Sequence, residues 1–219
     1  MKLLALDTAS ARCSVALLDG DALATRAVDT ARDHATLILP MIDALLAEAG
    51  VSLRSLDGIA FGRGPGSFTG VRVAAAVTQG LAAGTGLPVL GISDLRALAA
   101  RARQAAAATP PGTFLLAAMD ARMGEIYWGA YDAAAPIPGA ALLGEAVGPV
   151  ASLPEALRGR VVAAAGRGLS AYPGLASGLG IHAGAVLGDV GRIGLDIPQH
   201  GPGRPAWWRC LAGRGDGPA

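Results

Sequence analysis

The run Gly62-Arg63-Gly64-Pro65-Gly66-Ser67-Phe68-Thr69-Gly70-Val71-Arg72 constrains this chain more than any other stretch, because it joins an apolar segment at 56–61 to a helix-patterned segment at 68–83. Glycine at 62, 64 and 66 lets the backbone take positive φ and approach a neighbour closely. Strand, glycine-rich turn and helix in that order make a building unit of an α/β fold. Backbone N–H groups at such a helix start can hold an anion without a charged side chain, and a tight structural turn explains the same residues equally well. The run lacks the Lys-Ser/Thr pair of a P-loop and the spacing of a dinucleotide fingerprint.

Upstream, the apolar residues 3–6, the turn Asp7-Thr8-Ala9-Ser10, the segment 13–18, Asp19-Gly20 and the segment 22–29 read as a three-stranded meander. Asp33 is expected to cap a helix that runs to Ala49 and is closed by Gly50. A strand at 88–91 follows, and Ser93 is expected to cap a helix reaching about residue 106. The segment 105–112, with Pro110-Pro111, is taken as the boundary between an N-terminal α/β lobe at 1–108 and a C-terminal α/β lobe at 109–219. In the second lobe, strands are expected at 113–119, 125–131 and 160–165, with short helices near 168–172 and 183–195. The last seven residues read as frayed.

Eighteen Lys and Arg stand against seventeen Asp and Glu, a net charge of +1, so no global field would hold RNA or DNA unaided. Hydrophobic residues make up 52%, but alanine and 32 glycines inflate that figure, and no uninterrupted apolar stretch reaches the roughly 18 residues of a spanning helix. The residues before Asp7 are too few for a secretory apolar core. A soluble cytoplasmic protein without a membrane partner is the expectation. Cys13 and Cys210 have neither redox nor zinc spacing. His34, His182 and His200 lack ligand spacing, so no metal site is expected. Ser67 lies outside any G-x-S-x-G elbow, and Asp120 and Glu125 read as acids of an exposed turn. Asp7, Thr8 and Ser10 at a strand end suit either a phosphate or magnesium water shell or ordinary turn hydrogen bonding.

The two helices at 34–49 and 68–83 carry the most information. On a helical wheel Leu37, Met41, Leu45, Ile38, Ala49, Ile42, Leu46 and Leu39 fill one arc of about 200°, where a helix lying on a sheet needs roughly 100°. Part of that arc is therefore expected either to lack a partner within the chain or to be covered by the second lobe. In the second helix Val73, Val77 and Leu81 make a core stripe. Val71, Ala75, Thr78 and Ala82 form a separate row of small residues that would admit another helix closely, with Arg72 and Gln79 beside it as polar anchors. The expected protein interface comprises Leu37, Met41, Leu45, Val71, Arg72, Ala75, Thr78, Gln79 and Ala82. Asp7, Thr8, Gly64, Gly66 and Ser67 are the candidates for anion binding.

Leu4-Ala5-Leu6-Asp7-Thr8-Ala9, Cys13-Ser14-Val15-Ala16-Leu17, His34-Ala35 with Leu39-Pro40-Met41, the run from Gly62 to Arg72, and Met119-Asp120-Ala121-Arg122 with Glu125-Ile126-Tyr127 together closely resemble the TsaB (YeaZ) family. The resemblance is strong to about residue 131 and looser beyond. Pro205-Ala206-Trp207-Trp208-Arg209 is similar to the family's terminal Pro-x-Tyr-Leu-Arg, with Trp in both middle positions. The resemblance implies an α/β, actin/Hsp70-like (ASKHA) two-lobe fold, each lobe a mixed β-sheet with helices. It implies a noncatalytic subunit that pairs with the paralogue TsaD, or with itself when alone, through the two helices above. TsaD carries the metal-binding histidines and transfers a threonylcarbamoyl group to N6 of adenosine 37 in tRNAs reading ANN codons. The ATPase TsaE completes the complex, tRNA is met only through it, and no cofactor is held tightly, with weak ATP or ADP placed at the partner interface. A nucleotide-binding ATPase or phosphotransferase of the actin/Hsp70/sugar-kinase class is the alternative, motivated by Asp7-Thr8 and the glycine-rich turn. A direct tRNA-binding module is a third reading, motivated by scattered arginines.

Overall fold

The computed structural model describes residues 1–30, 32–135, 139 and 141–187. They form two compact units that divide between Ile92 and Ser93. Each is built on a five-stranded mixed sheet. The tail motif at 207–209, His200, Cys210 and the end of the helix expected at 183–195 lie outside the described residues.

In the first unit, β1 (Lys2–Asp7), β2 (Arg12–Asp19) and β3 (Ala22–Asp29) form the expected antiparallel meander, and β4 (Gly58–Gly62) and β5 (Val89–Ile92) add in parallel to give the order β3-β2-β1-β4-β5. The two-residue period of β1 sends Leu4 and Leu6 to one face and Leu3 and Ala5 to the other. On the first face lie both helices, α1 (His34–Ala49) and α2 (Phe68–Thr85). Leu3, Ala5, Ala16, Leu18 and Ala60 form a separate buried cluster on the opposite face. Gly50 closes α1 in the left-handed conformation, at φ 63, as expected. Asp33 precedes α1 without capping it through its side chain, which instead accepts a hydrogen bond from the Thr30 hydroxyl. Pro40 lies inside α1 at an exposed position.

The second unit holds α3 (Asp94–Ala105), β6 (Phe114–Arg122), β7 (Glu125–Asp132), β8 (Glu145–Pro149), β9 (Val161–Ala165), the single-turn helices α4 (Arg167–Ala171) and α5 (Gly174–Gly178), and β10 (Val186–Leu187). Its order, β10-β9-β6-β7-β8, repeats that of the first sheet: a meander whose first strand also pairs in parallel with the strand after the crossover. That repetition gives the two α/β units, each a mixed sheet with helices, expected from the sequence. It extends to the turns. A Cβ at Gly66 or Gly70 would collide with the backbone of Ala9 or Thr8 just past β1, and a Cβ at Gly166 or Gly168 would collide with the backbone of Ala118 in β6.

The break between units falls at 92/93, sixteen residues before the expected 108/109. The reason is the apolar stripe of α3: Leu95, Leu98, Ala99 and Ala102 are buried with Leu115, Ala117, Tyr131, Ala163 and Ala165 of the second sheet. The proline pair at 110–111 marks only the end of the link from α3 to β6. Ser93 does cap α3, accepting from the Arg96 N–H at 3.3 Å, and its hydroxyl donates to Glu145, which also accepts the Tyr131 hydroxyl at 2.6 Å. Strand β8, unexpected from the sequence, supplies that glutamate. Among the described residues no helix is long and apolar enough to cross a membrane.

The hairpin joining β6 and β7 places two adjacent non-glycine residues at positive φ, Arg122 at 68° and Met123 at 54°. Asp120 Oδ1 accepts the Arg122 N–H at 2.9 Å, so this acid organises the turn. Met123 is 99% exposed and has no packing to lose, while asparagine tolerates the left-handed conformation and favours a tight hairpin before glycine. Met123→Asn is therefore expected to raise stability by about 0.5–1 kcal/mol, measurable by urea unfolding. A loss of stability would contradict this account of the turn.

Candidate protein-interaction site

The ends of β1 and β4 bring the sequence's anion candidates into one cluster. Ser67 donates its backbone N–H to the Ala9 carbonyl at 2.7 Å, and the Thr8 hydroxyl donates to the Gly70 carbonyl at 2.6 Å. Gly66 and Gly70 are held against Ala9 and Thr8, and Gly64, at φ 90, lies against Val71. The Gly64–Pro65 peptide bond is cis. Ser67 caps α2 by accepting from the Gly70 N–H at 3.4 Å. The glycines at 66 and 70 thus have a packing role, seating the start of α2 on the turn after β1.

Beneath that turn Asp7 is buried, its Oδ1 accepting the Ala9 N–H at 2.8 Å and its Oδ2 without a hydrogen-bond partner among the described residues. Burial pushes the Asp7 carboxyl up to about 6, against the opposing Ala9 hydrogen bond and the charge of His34. His34 is itself buried, with Nε2 at 2.9 Å from the Ser10 carbonyl. Cys13 is a buried free thiol, pushed up to about 11 by burial and then by the Asp7 charge. Among the described residues no three of His, Cys, Asp or Glu group as metal ligands.

The helix faces differ from expectation. The broad arc of α1 is largely sealed within its own unit: Ile38, Met41, Ile42, Leu45 and Leu46 are buried, and Leu37 packs against the same cluster. Met41 and Leu45 are core residues, not surface ones, because α1 lies over β2 and β3 with α2 alongside and so is covered from more than one side. Only Leu39, 45% exposed, remains as a large apolar residue on its outside.

On α2 the fully buried row is Gly70, Ala74 and Thr78, so Thr78 moves from the expected interface to the seat of the helix. Val73, Val77 and Leu81 reach the core from one flank, while Val71, Ala75 and Ala82 are half-buried. Arg72 and Gln79 stand on the exposed face as expected, together with Phe68, Ala76, Gly80, Ala83 and Gly84, five residues the sequence reading passed over. The four-residue spacing of Gly80 and Gly84 was the available signal. This 18-residue helix carries a single charged residue, Arg72, whose guanidinium lies 3.2 Å from the centroid of the Phe68 ring. Phe68 is 74% exposed.

The fold, the turn and these helices can be compared with known proteins. A family model described as TsaD, tRNA N6-adenosine threonylcarbamoyltransferase, matches residues 28–185. A solved structure, YeaZ from Pseudomonas aeruginosa, superposes with a TM-score of 0.69 at 43% identity over 78% of each chain. The chain belongs to this family, in its TsaB (YeaZ) branch. The tRNA threonylcarbamoyladenosine biosynthesis protein TsaB of Escherichia coli (strain K12) is 45% identical over 60% of this chain and 55% of its own length. Its namesake in Haemophilus influenzae is 50% identical over 58% and 52%. The chain thus spans about half the length of the curated relatives it matches.

Asp7 in this TsaB-family chain has a measurable signature. Its folded value of about 6 lies above the usual 3.8. Between those values the folded chain binds the proton more readily than the unfolded chain, so this group stabilises the fold as pH falls from about 6 to 4 and withdraws that stability as pH rises. Relative to the native chain, Asp7→Asn is expected to gain on the order of 2–3 kcal/mol between pH 4 and pH 7, read by urea unfolding at both. An equal stability difference at the two pH values would show that Asp7 titrates normally.

Proposed function

We propose that this chain is a noncatalytic subunit in tRNA threonylcarbamoyladenosine synthesis. It pairs with a TsaD-type threonylcarbamoyltransferase through the outer face of α2 and the adjoining Leu39 of α1, and with a second copy of itself when that partner is absent. The reading of the process comes from the names of its relatives; the reading of the surface rests on α2.

The observation that carries it is the pair Gly80 and Gly84. A methyl group at either position would meet no atom of the described residues within 4 Å, yet glycine in a helix interior costs roughly 1 kcal/mol relative to alanine. Among the described residues of the first unit, none requires these glycines. A helix of another chain crossing there would, because a bare backbone permits close approach. The rest of the face agrees, since interfaces are depleted of charge and enriched in aromatic residues and arginine, and this face offers Phe68, Arg72, Gln79 and small residues. His34, the histidine of α1 beside the cluster, is engaged with the Ser10 carbonyl, which favours a supporting over a catalytic role. In this proposal the ATPase TsaE joins the complex and tRNA is met through it.

One observation favours the nucleotide-binding alternative, with ATP or ADP near the turn: the unpartnered Oδ2 of Asp7. Against it, the carbonyls of Thr8 and Ala9 already lie against the start of α2, where a phosphate would have to go. Calorimetric titration with ATP and magnesium separates the two readings, with turnover by the isolated chain supporting the enzyme.

Mixed with the TsaD-type subunit, the chain is expected to run as a heterodimer by light scattering. Ala76→Arg and Ala83→Arg, both at exposed positions, should abolish pairing and leave the isolated fold intact. Gly80→Ala with Gly84→Ala should stabilise the isolated chain by roughly 1–2 kcal/mol and still weaken pairing. Arginine variants that pair as well as the native chain would disprove the interface.

A further inference from the structure

We propose that the turn Thr8-Ala9-Ser10 couples the starts of α1 and α2, and that His34 is a positioning residue for the partner-binding face without belonging to it. The partner-binding half of this inference rests on the function proposed above.

Three consecutive residues hold both helices. Thr8 and Ala9 hold α2, through the Thr8 hydroxyl to the Gly70 carbonyl at 2.6 Å and the Ser67 N–H to the Ala9 carbonyl at 2.7 Å. The missing Cβ atoms at Gly66 and Gly70 bring the backbones into contact, so the turn cannot shift without displacing α2. Ser10 holds α1, through its carbonyl to Nε2 of His34, the first residue of that helix, at 2.9 Å. From below, the Asp7 Oδ1 bond to the Ala9 N–H fixes the turn to the end of β1. Close-packed backbone transmits displacement instead of absorbing it. Releasing His34 therefore unties the Ser10 carbonyl from α1, leaving the Ser10 hydroxyl's bonds to the Arg12 backbone, and so loosens the turn and the first turn of α2 that presents Phe68 and Arg72. A buried histidine that merely satisfies a local carbonyl would act on α1 alone.

The test is a double-mutant cycle of His34→Leu and Thr8→Val on the full chain, read by hydrogen–deuterium exchange and by the dissociation constant with the TsaD-type subunit. His34→Leu, a change on α1, is expected to speed exchange at residues 70–74 of α2 about five- to tenfold and to weaken partner binding by a similar factor. His34→Gln, which keeps an N–H donor, should restore both. Thr8→Val should in return speed exchange at residues 36–38 of α1, an arm that remains decisive if His34→Leu fails to fold. The combined effect should be smaller than the product of the two single effects. Exchange in each helix that responds only to its own variant, or effects that simply multiply, would overturn the coupling. If the exchange coupling holds but the native chain does not bind the TsaD-type subunit, the proposed function fails and the coupled turn stands. If the native chain binds and His34→Leu binds as tightly, the positioning role fails and the proposed function stands.

Discussion

The close approach of α2 to the end of β1 is the contact on which the rest of the first unit depends. Gly70, Ala74 and Thr78 form the buried row of the helix, and none has a side chain larger than threonine. A helix seated on small residues lies near the sheet, and its larger apolar side chains, Val73, Val77 and Leu81, reach the core from the flank. The opposite side of α2 is then left without charge except at Arg72, and carries two glycines that no described residue of its own unit packs against. Seat and outer face are two consequences of one arrangement of small residues along an 18-residue helix.

The sequence spoke most clearly where local chemistry decides the structure. The meander through Asp19-Gly20, the glycine closing α1, the Ser93 cap and the run from Gly62 into α2 are all written in adjacent residues, and all are found in place. It was silent or misleading where distant residues decide. A wheel shows how wide the apolar arc of α1 is but not that β2, β3 and α2 cover Met41 and Leu45. On α2 the same method read Thr78 as an outer residue, because alanine, glycine and threonine carry almost no hydrophobic contrast. Pro110-Pro111 suggested a boundary that the long-range packing of Leu95 and Leu98 on the second sheet moves back to Ile92.

The polar groups near the turn after β1 follow from the same seating. Burying a carboxylate disfavours its charged form unless partners compensate, and at Asp7 burial outweighs the backbone N–H groups of Ala9 and Thr8. His34, Thr8 and the Ser67 N–H carry polar links between the turn and the helices. An acid kept at a position where ionisation costs stability, beneath the helix whose outer face no described residue covers, fits a chain whose surface matters more than its isolated stability.

The claim that the outer face of α2 is covered by another chain is tested most directly by mapping amide hydrogen exchange of the full chain before and after adding a TsaD-type subunit. The account predicts new protection concentrated between Phe68 and Gly84, with little change across β3 or the β6–β7 hairpin. Protection confined to those other surfaces, with α2 exchanging as in the free chain, would contradict it.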